Sequence, residues 1–250
     1  MTQVLRTQGL SKQWGDFKAN HDVTLSFAPG GRHALIGPNG AGKTTFINLL
    51  TGVYPPTSGD VFLGDVCITA LGQHERVKRG VTRTFQITTL FPGLTVLESV
   101  VLAINERKGR ARTWWRTVAS CRPEIDEAME ILRSLRLERE ADSETRSLAY
   151  GKQRLVEIAL ALATRPGILL LDEPAAGIPT GESAELFGVL AALPRDVTVL
   201  FIEHDMDLVF RFAERITVLV GGTVLVEGTP EEIARDQRVK EVYLGEAAHG

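Results

Sequence analysis

Gly37-Pro38-Asn39-Gly40-Ala41-Gly42-Lys43-Thr44 matches the phosphate-binding pattern G-x-x-x-x-G-K-[ST] at every fixed position. A polyphosphate needs many convergent donors and no side chains in the way, which glycines at 37, 40 and 42 allow by letting the backbone approach closely. Lys43 reaches the β- and γ-phosphates, the hydroxyl of Thr44 is placed to ligate Mg²⁺, and Thr45 adds one more donor toward the α-phosphate. The helix opening near Gly42 aims its orphan N–H groups and its positive dipole end at the same anion. A glycine-rich turn could fit the pattern by accident. The flanks argue otherwise, because Arg32 to Ile36 reads as a strand and Thr44 to Leu50 as a helix, the context the motif demands.

Composition sets the frame around this loop. The chain has 250 residues, 44% of them apolar, which is ample for one large domain with a subdomain. A net charge of −3 gives no global basic field, so nucleic acid is not an expected partner. Cys67 and Cys121 lack metal-ligand spacing and fit a reducing compartment. The N-terminus has no signal-peptide apolar stretch and no run approaches about 18 apolar residues, so the expected location is cytoplasmic.

Ahead of the loop, Val4 to Leu10 and Thr24 to Phe27 read as short strands separated by the turn Trp14-Gly15-Asp16 and predict an antiparallel pair. Trp14 is placed to stack on a base without reading it, the alternative being a plain surface or core tryptophan. After the loop helix, Asp60 to Val66 and Gly80 to Phe85 read as strands. The second of these ends in Gln86, whose amide, at a strand end facing the phosphates, can hold Mg²⁺ or the attacking water. From Leu90 to about Leu162 the periodicity turns helical, with Ile125, Ala128, Met129, Leu132 and Leu135 on one face after Pro123. Within it, Arg107, Lys108, Arg110, Arg112 and Arg116 stand beside Trp114 and Trp115. A solvated face is the preferred reading of that run, and contact with lipid headgroups or a membrane partner the sharper one.

Leu148-Ala149-Tyr150-Gly151-Lys152 forms a turn before a helix whose apolar face carries Leu155, Ile158, Ala159 and Leu162, a second ready anion site. Gly167 to Leu171 is a continuous apolar run, as a strand buried on both faces requires, and it ends in Asp172-Glu173. Open α/β sheets place chemistry at such carboxyl ends. Asp172 can organise Mg²⁺ through water, and Glu173 can take the proton of a water attacking the γ-phosphate. A helix from Gly181 to Leu193 and a strand from Val197 to Ile202 follow, and His204 at the strand end is placed to donate to the γ-phosphate. Ile216 to Val220 and Thr223 to Val226 predict a hairpin, and Thr229-Pro230-Glu231-Glu232 a capping box opening a terminal helix toward Tyr243.

With the P-loop, Gln86, the Leu148 to Gly151 turn, Leu171-Asp172-Glu173-Pro174 and His204 in this order, the whole chain resembles the ATP-binding subunit of an ABC transporter. Arg83-Thr84-Phe85-Gln86, Leu90-Phe91-Pro92-Gly93-Leu94-Thr95-Val96, Glu173-Pro174-Ala175-Ala176-Gly177, Ile202-Glu203-His204-Asp205-Met206 and Tyr243-Leu244-Gly245 look like the branched-chain amino-acid importer type. The resemblance implies an α/β P-loop NTPase (RecA-like) core, residues 1–88 and 163–250, with a mainly parallel sheet and an N-terminal antiparallel β-subdomain. Residues 89–162 are then an inserted helical subdomain. It further implies that Trp14 stacks on adenine, that Gln86 couples to a transmembrane subunit, that His204 is a switch histidine, and that the signature turn serves a nucleotide held by a second ATPase subunit.

The implied function is ATP hydrolysis that energises uptake of a small solute, most readily branched-chain amino acids. Importers of urea, amides or other small carboxylates, and a soluble or regulatory ABC ATPase, are the alternatives. The implied partners are a second ATPase subunit, with a heterodimer favoured over a homodimer, two transmembrane permease subunits and, indirectly, a periplasmic or extracellular solute-binding protein. The implied place is the inner face of the cell membrane. Ala149, Tyr150 and Lys152 depart from the general signature Leu-Ser-Gly-Gly-Gln, and Lys152 could offset with its charge the hydroxyl that Ala149 lacks. Pro179 replaces a polar residue in the loop through which paired subunits communicate.

Overall fold

The computed structural model describes residues 3–84, 93–110 and 122–247. The first part of the chain runs β1 (Leu5–Trp14), β2 (Phe17–Val23), β3 (Ser26–Phe27), β4 (Arg32–Ile36), α1 (Lys43–Thr51), β5 (Ser58–Leu63), β6 (Val66–Cys67), α2 (Gln73–Lys78) and β7 (Val81–Arg83). Then come α3 (Val96–Arg107), α4 (Arg122–Ser134), α5 (Tyr150–Ala163), β8 (Ile168–Asp172), α6 (Thr180–Ala191) and β9 (Thr198–Ile202). The chain ends with α7 (Met206–Phe212), β10 (Arg215–Val220), β11 (Thr223–Gly228), α8 (Pro230–Arg235) and α9 (Gln237–Ala247). Two compact units result, one of residues 1–76, 170–174 and 194–250, the other of residues 77–169 and 175–193.

In the first unit β4 is buried at every residue, as a strand paired on both sides and covered on both faces must be. It runs parallel to β9 on one side and β10 on the other, within the order β11-β10-β4-β9-β8. The carboxyl ends of β4 and β9 therefore point the same way, and the end of β8 meets that of β9 where the Glu173 N–H donates to Ile202. An antiparallel sheet of order β2-β1-β5-β6, with β3 also on β1, forms the second layer.

The expected antiparallel pair is present as Leu5↔Phe27 and Arg6↔Ser26, but only Ser26–Phe27 of Thr24 to Phe27 is strand, and β1 also pairs with Phe17–Val23, which was not expected. Register shifts between Leu10 and Lys12 and between Lys12 and Gln13 break the two-residue alternation by which such a strand is read. Asp60 to Val66 is likewise split by a turn with Gly64 at φ +59°. The terminal helix is two helices, and the capping box of Thr229 and Glu232 stands as read.

The second unit packs α3 against α4 and α5, and α5 against α6. It extends beyond residues 89–162 because α6 covers α5 and because the N–H groups of Gly167 and Ile168 both reach the carbonyl of Gly80, at 2.9 Å each. A second capping box, Thr95 with Glu98, starts α3. Arg107, Lys108 and Arg110 do not form a purely solvated face. Lys108 pairs with Glu124 at 2.8 Å and Arg110 with the same carboxylate at 3.0 Å, while Arg107 meets Glu127 at 2.8 Å. Arg112, Trp114, Trp115 and Arg116 lie outside the described residues.

Candidate nucleotide-binding site

The loop 37–44 spans the end of β4 and the start of α1, and its shape is fixed by neighbouring backbone as well as by its own sequence. A Cβ on Gly37 would sit 2.1 Å from the carbonyl oxygen of Leu219, and one on Gly42 would sit 2.2 Å from that of Ala19. Gly40 faces open space but holds φ +76°, a left-handed conformation natural to glycine. The glycines thus serve packing and turning as well as any approach of a ligand. Lys43 is buried and arches back over the loop, its Nζ donating to the carbonyls of Gly37 at 2.6 Å and Pro38 at 3.0 Å.

Two further strands close on the loop. The N–H of Gly222, in the β10–β11 turn, donates to the carbonyl of Ala41 at 3.1 Å, and the Gly222 carbonyl accepts from the N–H of His21 in β2 at 2.8 Å. α1 begins at Lys43 with Gly42 as its N-cap and no side-chain cap. Its first N–H groups therefore have no intrahelical partner and face whatever lies within the loop. Thr44 is exposed on that first turn and Thr45 partly so.

At the end of β8, Glu173 adopts φ +49°, rare for a residue with a Cβ, while its N–H donates to the carbonyl of Ile202 at 3.1 Å. Such conformations persist where surrounding structure holds them and cluster at functional sites. The held carboxylate meets His204, whose Nε2 lies 2.6 Å from Glu173 Oε1. Protonated at Nε2, the imidazole donates and orients the carboxylate. Sequence reasoning directed His204 at a phosphate and did not foresee this bond, since strand ends 31 residues apart carry no pairwise signal.

Glu203 and Asp205 were also missed as working residues. Glu203 is buried and accepts from the His204 N–H at 3.2 Å. Asp205 caps α7 by accepting from the N–H groups of Asp207 and Leu208, which fixes the chain just after the histidine. An acidic residue directly before an apolar helical run was the available signal for that cap.

Trp14 ends β1, 44% exposed, with Tyr54 edge-on at 5.6 Å between ring centroids and the Lys12 ammonium 5.3 Å from its ring. In the other unit, Ala149 is the N-cap of α5 and supplies no side-chain cap. Tyr150 is exposed and takes a hydrogen bond from Arg154 at 3.2 Å. Gly151 is buried, where a Cβ would stand 2.9 Å from Glu182 Oε2. Lys152 forms an ion pair with Glu140, so its charge is engaged within the chain. Gln86 lies outside the described residues.

Comparison with known proteins agrees with this geometry. A family model described as ABC transporter matches residues 20–176, and one described as branched-chain amino acid ATP-binding cassette transporter matches residues 223–249. The chain is 40% identical to the high-affinity branched-chain amino acid transport ATP-binding protein LivG of Escherichia coli over 251 residues, covering 98% of each chain. It is 40% identical, at the same coverage, to BraF of Pseudomonas aeruginosa, a protein of the same description. The solved ADP conformation of an ATP-binding cassette of an ABC transporter superposes with a TM-score of 0.83 at 31% identity, covering 98% of this chain and 100% of that one.

Proposed function

The chain belongs to the ABC transporter family of ATP-binding, ATP-hydrolysing subunits, and on that premise we propose that it energises import of branched-chain amino acids. The observation that carries the reading is end-to-end similarity to LivG and BraF in a chain whose P-loop, Glu173 and His204 sit at neighbouring ends of one sheet.

In this reading Gly37 to Thr45 cradle the triphosphate with backbone N–H groups, Lys43 leaves its loop carbonyls for the β- and γ-phosphates, and Trp14 stacks on adenine. The protein oxygens fit a magnesium ion, which keeps most of its shell in phosphate and water oxygens and takes only one or two protein ligands. No cluster of three or more acidic, histidine or cysteine ligands exists among the described residues. Thr44, Gln86 and, through water, Asp172 would hold Mg²⁺, which neutralises phosphate charge when bound. Glu173 takes the proton of the attacking water, with His204 holding one carboxylate oxygen so that the other faces the water.

Leu148 to Lys152 are assigned to a nucleotide held by a second ATPase subunit, a related chain rather than a second copy. Gln86 and residues 89–162 transmit closure to two permease subunits fed by a solute-binding protein. None of the described helices is long and apolar enough to cross a membrane. The reading places the chain at the inner face of the cell membrane, held there by those permeases.

Uptake of labelled leucine in cells lacking the chain tests the reading. The wild-type chain should restore uptake. Glu173→Gln should not, while retaining ATP binding and losing roughly 100-fold or more in turnover. Restored ATPase activity without restored leucine uptake would leave the ATPase and remove the solute.

A further inference from the structure

Asn20 lies in β2 opposite Lys12 of β1 and is 1% exposed. Its Nδ2 donates to the carbonyl of Gly42 at 3.2 Å, the same carbonyl that accepts the N–H of Phe46 at 2.9 Å as α1 begins. Exchanging the two ends of the amide would set Oδ1 against the Gly42 oxygen, so the orientation is fixed by its partner. Oδ1 has no hydrogen-bond partner although it is buried. Leaving an acceptor so costs stability, and an apolar side chain of equal size would avoid the loss. The one bond this buried amide makes within the protein is the one its Nδ2 gives to Gly42, which points to a role for the donor.

We infer that Asn20 is a positioning residue for phosphate binding, acting through the Gly42–Lys43 peptide. In a planar trans peptide the C=O and N–H point in opposite directions. With the Gly42 carbonyl held by Asn20 from the side and by Phe46 along the helix, the N–H of Lys43 is turned out of the helix start, toward the space enclosed by the loop. Gly42 needs that restraint. At φ 94° and ψ 9° it has no Cβ, and the Ala19 carbonyl forbids one, so rigidity must come from outside the residue. The same strand leads from Asn20 back to Phe17, the cross-strand partner of Trp14. β2 thus carries, three residues apart, the anchor of the phosphate loop and the partner of the aromatic assigned to the base.

The inference rests on the nucleotide reading above, and the experiment separates the two. ATP affinity, the ATP KM and kcat, and the unfolding midpoint of the nucleotide-free protein are measured for wild type, Asn20→Leu and Asn20→Ala. Asn20→Leu removes donor and orphan acceptor together, so the nucleotide-free midpoint should hold or rise while ATP affinity falls about fivefold or more. The KM should rise with kcat within about twofold, the pattern of a lost uniform binding interaction. Asn20→Ala, which cannot clash, should show the same affinity loss and guards against misfolding of the leucine variant. Unchanged affinity in a folded variant overturns the inference and leaves the function standing. A midpoint and an affinity that fall together in both variants also overturn it, because general loosening then explains the loss. A wild-type chain that does not bind ATP overturns both.

Discussion

α1 and α5 are built on the same plan and finished differently. Each starts without a side-chain cap, from Gly42 and from Ala149, so each presents bare N–H groups at its N-terminus. Each ends with an arginine donating to the carbonyls of its last turn, a favourable place for a cation. Arg76 gives Leu49 and Leu50 bonds of 2.6 and 2.8 Å, and Arg107 gives Ala163 one of 2.7 Å. The difference is in the counter-charge. Arg76 is fully buried and spends its remaining donors on the carbonyls of Leu71 and Thr69, and burial pulls its pKa down to about 10. Arg107 pairs with Glu127, which Arg165 also meets. The lysines near the two starts repeat the contrast, since Lys43 is held by loop carbonyls and Lys152 by Glu140. At α1 the cations donate to backbone carbonyls, and at α5 they also form ion pairs.

Removing Arg76 attacks this difference hardest. Arg76→Met should destabilise the chain by on the order of 3 kcal/mol or more, because four carbonyls lose a charged donor in a buried place. Arg76→Lys should rescue little, since one ammonium cannot span four carbonyls as a planar fork does. Arg107→Met should cost less, Glu127 being left with Lys108 and Arg165. Urea unfolding of the three variants checks the order. Equal losses at Arg76 and Arg107 would mean that the counter-charge makes no difference.

These contrasts were the part hidden from sequence. The loop, β4 from Arg32 to Ile36, and the strand end at Asp172 and Glu173 were legible, because each is a local pattern of glycine spacing or continuous apolar burial. Arg76 was not, since hydropathy places an arginine in water and only the three-dimensional gathering of carbonyls brings it inside. Asn20 was silent for the same reason, its bond to Gly42 spanning 22 residues. The positive φ of Glu173 has no signature in a residue type that avoids it. Arg107, Lys108 and Arg110 read as solvated because their carboxylates, Glu124 and Glu127, lie across the stretch 111–121, beyond the reach of helical spacing.

A smaller effect is expected at the balanced end of α5. Hydrogen bonding to Arg107, aided by Arg165, lowers the Glu127 carboxyl from its ordinary value of 4.5 to about 2. As pH falls, the unfolded chain takes up the proton first. The stabilisation is therefore complete above about 4.5 and disappears as pH approaches about 2. Glu127→Gln should lower stability near neutrality by roughly 1–2 kcal/mol, allowing for partial solvent screening. The gap to wild type should narrow across that window in acid unfolding followed by circular dichroism. A gap independent of pH would show that the carboxylate packs and does not pair.

The smallest effect tests whether the Lys152 charge is available to a nucleotide at all. Its partner Glu140 has one carboxylate oxygen buried without a second donor, and the pair itself is half exposed on the lysine side. Lys152→Met should change stability by no more than about 1 kcal/mol, as exposed pairs do. Glu140→Gln is the sharper half of the test. It frees Lys152 beside the bare N-terminus of α5 and should strengthen ATP-dependent association of the Glu173→Gln chain with the related second ATPase subunit in light scattering. Association unaffected by Glu140→Gln, but abolished by Lys152→Met, would place the lysine on the nucleotide despite its partner and reverse the contrast between the two helices.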